Sequence, residues 1–416
     1  MIELRLAANI VKLVIKDGKK YVDAVSEIFP NERTLFQSSN VSVNVARVAL
    51  KRYFLFENIL QETKLELSID KKCLLYAVLA NMFYAKSISN NACITLIKSE
   101  FSEEEFLKIE PILRRKEPLE DLITFEKDSD FYIATKYNCP IWLVHMWRKH
   151  FGDQITIDFL SSSIKRSLQT YVINTLKTDG EALKKKYPEL SSPFDDVVIY
   201  EGTKRFEVTP EYLDGDMIYA KLGFKTLIDT LYNPFHEVLI YSGYDDDFVE
   251  TSIIKADRKN GLNIAVPNLD SRGKLMRFIR LNDVHNVNLF EVKDEYSLKA
   301  GVSYKQDMVV VFPKSSRFDI VSKYPDFLLH FDRDELDGLI EDEKEKLELF
   351  APYVSDDGEL VYIVNTLNKK ESTNIISEFL EKHQEFTLIK DEQMIGSQPF
   401  ATTMYYAILR RSEIND

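Results

Sequence analysis

Only three cysteines occur in 416 residues, at Cys73, Cys93 and Cys139, and none follows Cys139. An odd and sparse set cannot form a disulfide framework and fits a reducing compartment. It also leaves everything after Cys139 without a thiolate nucleophile or a cysteine-based metal site. Glycine and proline are scarce, at 13 each, which excludes collagen-like and low-complexity chains. No apolar run approaches the roughly 20 residues that cross a bilayer. The first 20 residues are interrupted by Glu3, Arg5 and Lys12 and lack the layout of a secretory signal. A cytoplasmic protein without membrane attachment is expected. The six histidines are dispersed, and His145 and His150 lack an acid at metal-ligand spacing. With no zinc motif, phosphate-binding loop or nucleophile elbow in the chain, no metal site is expected.

What is present is a globular composition. Hydrophobic residues make up 45%, and the length exceeds one ordinary core, so two or three domains are expected. Charge is unevenly placed. Residues 1–136 hold 20 basic and 20 acidic side chains, so the whole net charge of -13 arises from Tyr137 onward. Phosphate binding needs local positive potential, and an acidic balance there favours a basic or protein partner over nucleic acid.

The first third reads as helices. Leu6, Ile10 and Leu13 recur at helical spacing, and Asp17-Gly18 stops the run. The spacing predicts one long helical segment over 41–60, with Arg47, Lys51 and Arg52 on its polar side, and another over 69–86. Ser102-Glu103-Glu104-Glu105 has capping-box form. A helix is expected over 138–152, with Pro140 at its first turn and Gly152 past its end. A strand is expected over 171–178. From His236 onward strands and helices alternate. Strands are expected over 236–241, 263–266, 286–290, 308–312, 360–364, 386–389 and 404–409, and helices over 271–281, 334–350 and 371–383. Repeated strand–helix units predict a doubly wound parallel sheet, and the last two strands, with no helix between them, predict an antiparallel hairpin. The stretch 332–348 carries nine acids against three bases and reads as a solvated helix face.

Several motifs point to one family. Pro140-Ile141-Trp142-Leu143-Val144-His145-Met146-Trp147-Arg148-Lys149-His150-Phe151-Gly152 resembles a Pro-x-Trp-Leu-Val-x-x-Trp-x-x-x-Tyr-Gly signature. Tyr171-Val172-Ile173-Asn174-Thr175-Leu176-Lys177 resembles Leu-Arg-Val-Asn-Thr-Leu-Lys. Val309-Val310-Val311-Phe312-Pro313-Lys314-Ser315-Ser316 resembles a strand ending in Asp-Ala-Pro-Cys-Ser-Gly, with Lys314 at the cysteine. Gly358-Glu359-Leu360-Val361-Tyr362-Ile363-Val364-Asn365-Thr366 resembles Gly-x-Leu-Val-Tyr-x-Thr-Cys-Ser, with Asn365 at the second cysteine. The closing segment 398–411 keeps its apolar strand but has Thr403-Met404 where the motif has Asp-Gly. Together these resemble the Fmu/Sun (RsmB) family of ribosomal RNA cytosine-5 methyltransferases, which opens with a NusB-like helical domain.

The resemblance implies three parts: an all-α NusB-like bundle (1–137), a small α/β connector (138–232) and a doubly wound, seven-stranded, Rossmann-like methyltransferase domain (233–416). It also implies a lost chemistry. Carbon 5 of cytosine accepts a methyl group only after a nucleophile attacks the ring, and a thiolate suits that step. An exposed lysine is a hydrated ammonium, and an asparagine cannot attack. The S-adenosylmethionine site of the family is reduced to remnants at Gly243, followed by three acids, and Asp270, which is expected to cap the next helix; Pro267 stands near the position of the ribose-binding acid. No cofactor is therefore expected. The leading expectation is a catalytically degenerate homologue that binds ribosomal RNA or ribosome-assembly factors, through Arg47, Lys51, Arg52, Arg148 and Lys149. An active but divergent methyltransferase is one alternative. A protein–protein module acting through the acidic C-terminal domain is the other.

Overall fold

The computed structural model describes residues 1–30, 38–165, 169–190, 194–200, 206–243, 246–254, 261–396 and 402–412. Residues 244–245 of the acid run and 398–401 of the closing motif lie outside them. The chain divides into two compact units, Met1–Arg166 with Ile320–Phe331, and Ser167–Asp319 with Asp332–Asp416.

The first unit is helical. Helix Ile2–Ile15 buries Leu4, Ala7, Ile10, Val11 and Val14, a stripe at helical spacing, and packs on Ser38–Leu50 and Ile69–Ala80. Ser102 and Glu105 form the expected capping box. Helix Ile141–Phe151 starts after Pro140 and ends at Gly152, whose φ of +82° suits glycine. Trp147 is fully buried and meets Phe159 edge-on at 5.0 Å, while Trp142 stacks on Phe331 at 6.1 Å.

One expectation fails here. The segment 41–60 is not a single helix: Ser38–Leu50 and Tyr53–Glu62 are separated by Lys51 and Arg52. Lys51 is not on a polar face but buried. Its ammonium donates to the carbonyls of Ser163 at 3.0 Å, Lys165 at 2.9 Å and Ser322 at 2.7 Å. Three carbonyl acceptors satisfy all three of its protons, and the helix gives way at this corner.

The second unit opens with a three-stranded antiparallel sheet of order β2-β1-β3, from β1 (Gln169–Ile173), β2 (Val197–Tyr200) and β3 (Met217–Tyr219). The strand expected over 171–178 stops at Ile173, because the Asn174 amide turns to the Asp216 carbonyl and residues 174–178 form a turn. Seven further strands follow: β4 (Val238–Ser242), β5 (Leu262–Val266), β6 (Val287–Glu291), β7 (Gln306–Phe312), β8 (Val354–Val364), β9 (Phe386–Met394) and β10 (Met404–Arg411). They form one sheet of order β6-β5-β4-β7-β8-β10-β9. The first five pair in parallel, and β10 runs antiparallel to both β8 and β9. This is the doubly wound, seven-stranded sheet with a terminal hairpin that the sequence predicts.

Alternating strand residues build the two faces. Ile240, Ile264, Val310 and Val361 pack with helices Leu222–Leu231 and Leu269–Leu281 on one side. Leu239, Tyr241, Val309, Val311 and Tyr362 pack with Arg333–Phe350 and Thr373–Lys382 on the other. Helices Asp246–Ile254 and Glu295–Gly301 were not expected. The helix expected from 371 begins at Thr373, after a 3-10 turn over Lys369–Glu371. Asp270 does not cap helix Leu269–Leu281. Asn268 does, accepting the Ser271 amide at 2.9 Å, and Asp270 sits exposed in the first turn.

Candidate functional site

In an open α/β sheet, ligands bind beyond the carboxyl ends of the strands, where the strand order reverses. Here that point lies between β4 and β7. The Gly243 amide donates to the Phe312 carbonyl at 2.7 Å. A Cβ at Gly243 would lie 2.7 Å from the Lys314 nitrogen and 2.9 Å from the Pro313 carbonyl carbon. Glycine is required because two backbones meet, which is a reason independent of any cofactor.

The two positions that the resemblance assigns to cysteines follow β7 and β8. Lys314 is exposed to solvent. Asn365 is fully buried; its amide donates to Ser315 Oγ at 3.2 Å and its carbonyl accepts the Phe318 amide at 3.1 Å. Around them lies a buried polar knot centred on Glu371. One carboxylate oxygen accepts the Ser316 amide at 2.7 Å; the other accepts Thr366 Oγ1 at 2.5 Å and Asn368 Nδ2 at 3.2 Å. The Ser316 and Thr366 hydroxyls lie 2.9 Å apart, and the Tyr362 hydroxyl donates to the Glu371 carbonyl at 2.9 Å.

Glu343 adjoins this knot. It belongs to helix Arg333–Phe350, expected as a solvated acidic face, yet it is fully buried and neither carboxylate oxygen has a hydrogen-bond partner among the described residues. Burial, reinforced by the neighbouring Glu371 carboxylate, pushes the Glu343 carboxyl well above the usual range. Burial raises Glu371 too, against the lowering effect of its hydrogen-bond donors. Both carboxyls are thus raised, Glu343 the more strongly.

A second cluster lies on the other side of the β7 loop. Lys221 Nζ is 3.4 Å from Asp247 and 3.3 Å from Asp319, and Arg317 Nε is 3.0 Å from Asp319. Asp319 has only 1% of its side chain exposed. Of these residues only Asp247 was noted from the sequence, as one of the three acids after Gly243; Lys221, Arg317, Asp319, Glu371 and Glu343 were not singled out, and no residue spacing signals them.

The described residues do not fit an adenosyl cofactor. Beyond Val266 the chain continues with Pro267, which lacks an N–H, and Asn268, whose side chain is committed to its helix cap. Asp270, the other expected remnant, points from an exposed helical turn. Among the described residues β5 itself ends without an acid, and Glu291, the register partner of Val266 on β6, pairs with Lys293 at 3.1 Å. Among the described residues no cluster of three histidine, cysteine or acidic side chains could hold a metal ion. His145 does meet an acid, Asp130, at 3.1 Å.

The basic residues of the first unit are mostly engaged. Arg47 lies over the Tyr21 ring at 5.9 Å. Arg52 lies over the Tyr84 ring at 4.3 Å and 3.8 Å from Glu120. Arg148 makes ion pairs with Asp130 at 2.6 Å and Asp153 at 2.7 Å. Burial, with Arg47 and Arg52 nearby, pushes the Lys51 ammonium down to about 7. Lys149 is exposed. Arg47, Lys51 and Arg52 are therefore not aligned on one surface helix, while Arg148 and Lys149 do lie in the last turn of Ile141–Phe151. Among the described residues no helix is long and apolar enough to cross a membrane.

No family model matches the chain, and no curated protein matches it. Solved structures do share its fold. PH0851 is similar over 98% of both chains, at 17% identity and a TM-score of 0.74. NSun6 from Pyrococcus horikoshii, solved with SFG, is 11% identical with a TM-score of 0.59, over 66% of this chain and 98% of that one. A methyltransferase homolog protein from the same organism is 13% identical with a TM-score of 0.56, over 69% of this chain and all of that one. The architecture is thus a helical region followed by the mixed seven-stranded sheet of the methyltransferase, Rossmann-like fold.

Proposed function

We propose that this chain is a non-catalytic relative of ribosomal RNA cytosine-5 methyltransferases that binds RNA or a ribosome-assembly partner. The observation that carries this reading is the state of the two positions where the family places cysteines. Lys314 is in water and Asn365 is buried, and neither is a nucleophile held in a dry pocket. The Glu371 knot occupies the space around them with satisfied hydrogen bonds. The methyltransferase-type fold shared with NSun6 from Pyrococcus horikoshii supports this reading. The cofactor is absent from this reading, because Val266 and Pro267 stand where an acid is needed and the adjoining Glu291 is paired with Lys293. Lys149 is the cation best placed to meet phosphate. The net charge of -13 favours one second reading, an acidic surface that receives a basic protein.

The test uses the full chain. Calorimetry with S-adenosylmethionine is expected to give no dissociation constant tighter than about 10 μM. Labelled cofactor with unmodified small-subunit ribosomal RNA is expected to leave the RNA unlabelled. Transfer of label to cytosine would overturn the non-catalytic reading. Filter binding at two salt concentrations addresses RNA: affinity is expected to fall steeply with salt and to weaken in Lys149→Ala. No RNA binding at low salt would replace RNA by the protein partner.

A further inference from the structure

The amino-terminal end of the seven-stranded sheet, opposite the site described above, holds a cavity of about 510 Å³. Its wall includes Gly261, Asn263, Asn286, Asn288, Ser303 and Tyr304, and among the described residues no charged side chain lines it. The volume is that of a small-molecule site.

A chain of carboxamides crosses its floor. Asn288 Nδ2 donates to the Gly301 carbonyl at 2.9 Å and to Asn263 Oδ1 at 3.0 Å. Asn263 Nδ2 donates to Gln306 Oε1 at 2.9 Å, and Gln306 Nε2 donates to the Tyr304 carbonyl at 3.2 Å. Both ends of the chain are backbone carbonyls, which only accept, so all three amides have fixed orientations. Both N–H groups of Asn288 are used, leaving its Oδ1 as an acceptor. Asn263 keeps one N–H without a partner among the described residues. These two residues are register partners on the parallel strands β5 and β6, which lie about 4.8 Å apart. The remaining acceptor and the remaining donor thus belong to register partners on neighbouring strands.

Burying such a chain is costly unless every member is satisfied, and an apolar set would pack there with less risk. Gln306 has no exposed surface at all, and serves to hold Asn263 and the Tyr304 backbone. Tyr304 is itself 54% exposed and supplies an aromatic face at the rim. Gly301 is compelled to be glycine, since a Cβ would fall 2.1 Å from the Phe290 ring. The hollow is therefore shaped by residues chosen for fit.

We propose that this cavity binds a nucleobase, in a free nucleoside or an unpaired nucleotide, with Asn263 and Asn288 on its hydrogen-bonding edge and Tyr304 on its face. Carboxamides match the paired donor and acceptor of base edges, and aromatic rings stack on bases of any identity. The proposal does not rest on the RNA reading above.

The experiment titrates the full chain with adenosine, guanosine, cytidine and uridine in turn, followed by calorimetry or NMR. At least one is expected to saturate below about 5 mM. Asn288→Leu and Tyr304→Ala should each weaken it by about tenfold, while Lys149→Ala and Lys314→Ala leave it unchanged. Asn288 and Tyr304 are both exposed, and unchanged thermal unfolding of the variants verifies their fold. A short single-stranded oligonucleotide binding more tightly, with the same sensitivity to the variants, identifies the source as RNA. Equal or weaker oligonucleotide binding identifies a free nucleoside. Failure of all four nucleosides to saturate, insensitivity to both variants, or displacement by glucose would overturn the proposal.

Discussion

Glu371 accepts the backbone amide of Ser316 at 2.7 Å, and both residues are buried. This single bond ties the loop after β7 to the turn after β8. Its partner oxygen takes Thr366 and Asn368, so one carboxylate holds both segments to which the resemblance assigns cysteines. Removing it would strand three buried donors. Glu371→Ala is expected to cost about 3–5 kcal/mol in urea unfolding, and Glu371→Gln about 1–2 kcal/mol, since the amide retains one acceptor. Equal, small effects of both would mean that the knot is hydrated and not structural.

Glu343 gives the second unit a pH dependence. Its unfolded-state carboxyl releases a proton near the ordinary value of 4.5, while the folded one, raised by burial, keeps it. Above that ordinary value the folded state binds more protons than the unfolded state, so stability falls as pH rises toward the folded pKa. Glu343→Gln keeps the shape without the proton. It is expected to be more stable than the parent at pH 8 by about 1–3 kcal/mol, with the gap closing toward pH 4.5. Unfolding curves at three pH values measure it; a gap that does not change with pH would refute the assignment.

Gly243→Ala tests the meeting of β4 with the β7 loop. The new methyl would contact backbone atoms at 2.7 and 2.9 Å, which cannot swing aside like a side-chain end. A loss of about 1–3 kcal/mol is expected, with or without S-adenosylmethionine in the buffer. Stabilisation of the parent by the cofactor, lost in the variant, would instead make Gly243 part of a cofactor loop.

Lys51→Ala should bare three carbonyls and cost about 2–4 kcal/mol in the helical unit at pH 8. Lys51 has a folded pKa of about 7, below its ordinary 10.5. Between these values the unfolded state binds more protons, so the parent gains stability as pH rises from 7 to 10.5. The variant should lose that rise. Because Lys51 is buried, its removal should leave the salt slope of RNA binding unchanged, whereas loss of Lys149 should flatten it. A matching flattening in both would show that Lys51 reaches phosphate.

The strands that were legible are those buried on both faces. Val309-Val310-Val311-Phe312 is a continuous apolar run, as central parallel strands require, and the lack of any helix between β9 and β10 disclosed the hairpin. Helix Asp246–Ile254 was not legible, because acids following a glycine read as a loop. The break at Lys51–Arg52 was hidden for a different reason. Both residues are good helix formers, and what stops the helix is a set of carbonyls more than 100 positions away in sequence. Glu343 looks like its eight acidic neighbours in 332–348, and only the packing of its helix on the sheet distinguishes it. The candidate site was legible as two missing thiols, but not as the Glu371 knot that stands there.

The segment Ile320–Phe331 belongs to the helical unit although it is encoded between β7 and β8. Asp326 accepts the Tyr21 amide at 2.9 Å and Ser322 accepts Lys51. During synthesis, then, the first unit waits: its last contacts are made only after residue 331 has left the ribosome, when β4 to β7 have already emerged. At the roughly 5–20 residues per second of translation, that delay amounts to about ten seconds or more in which Lys51 has no carbonyl of Ser322 to meet.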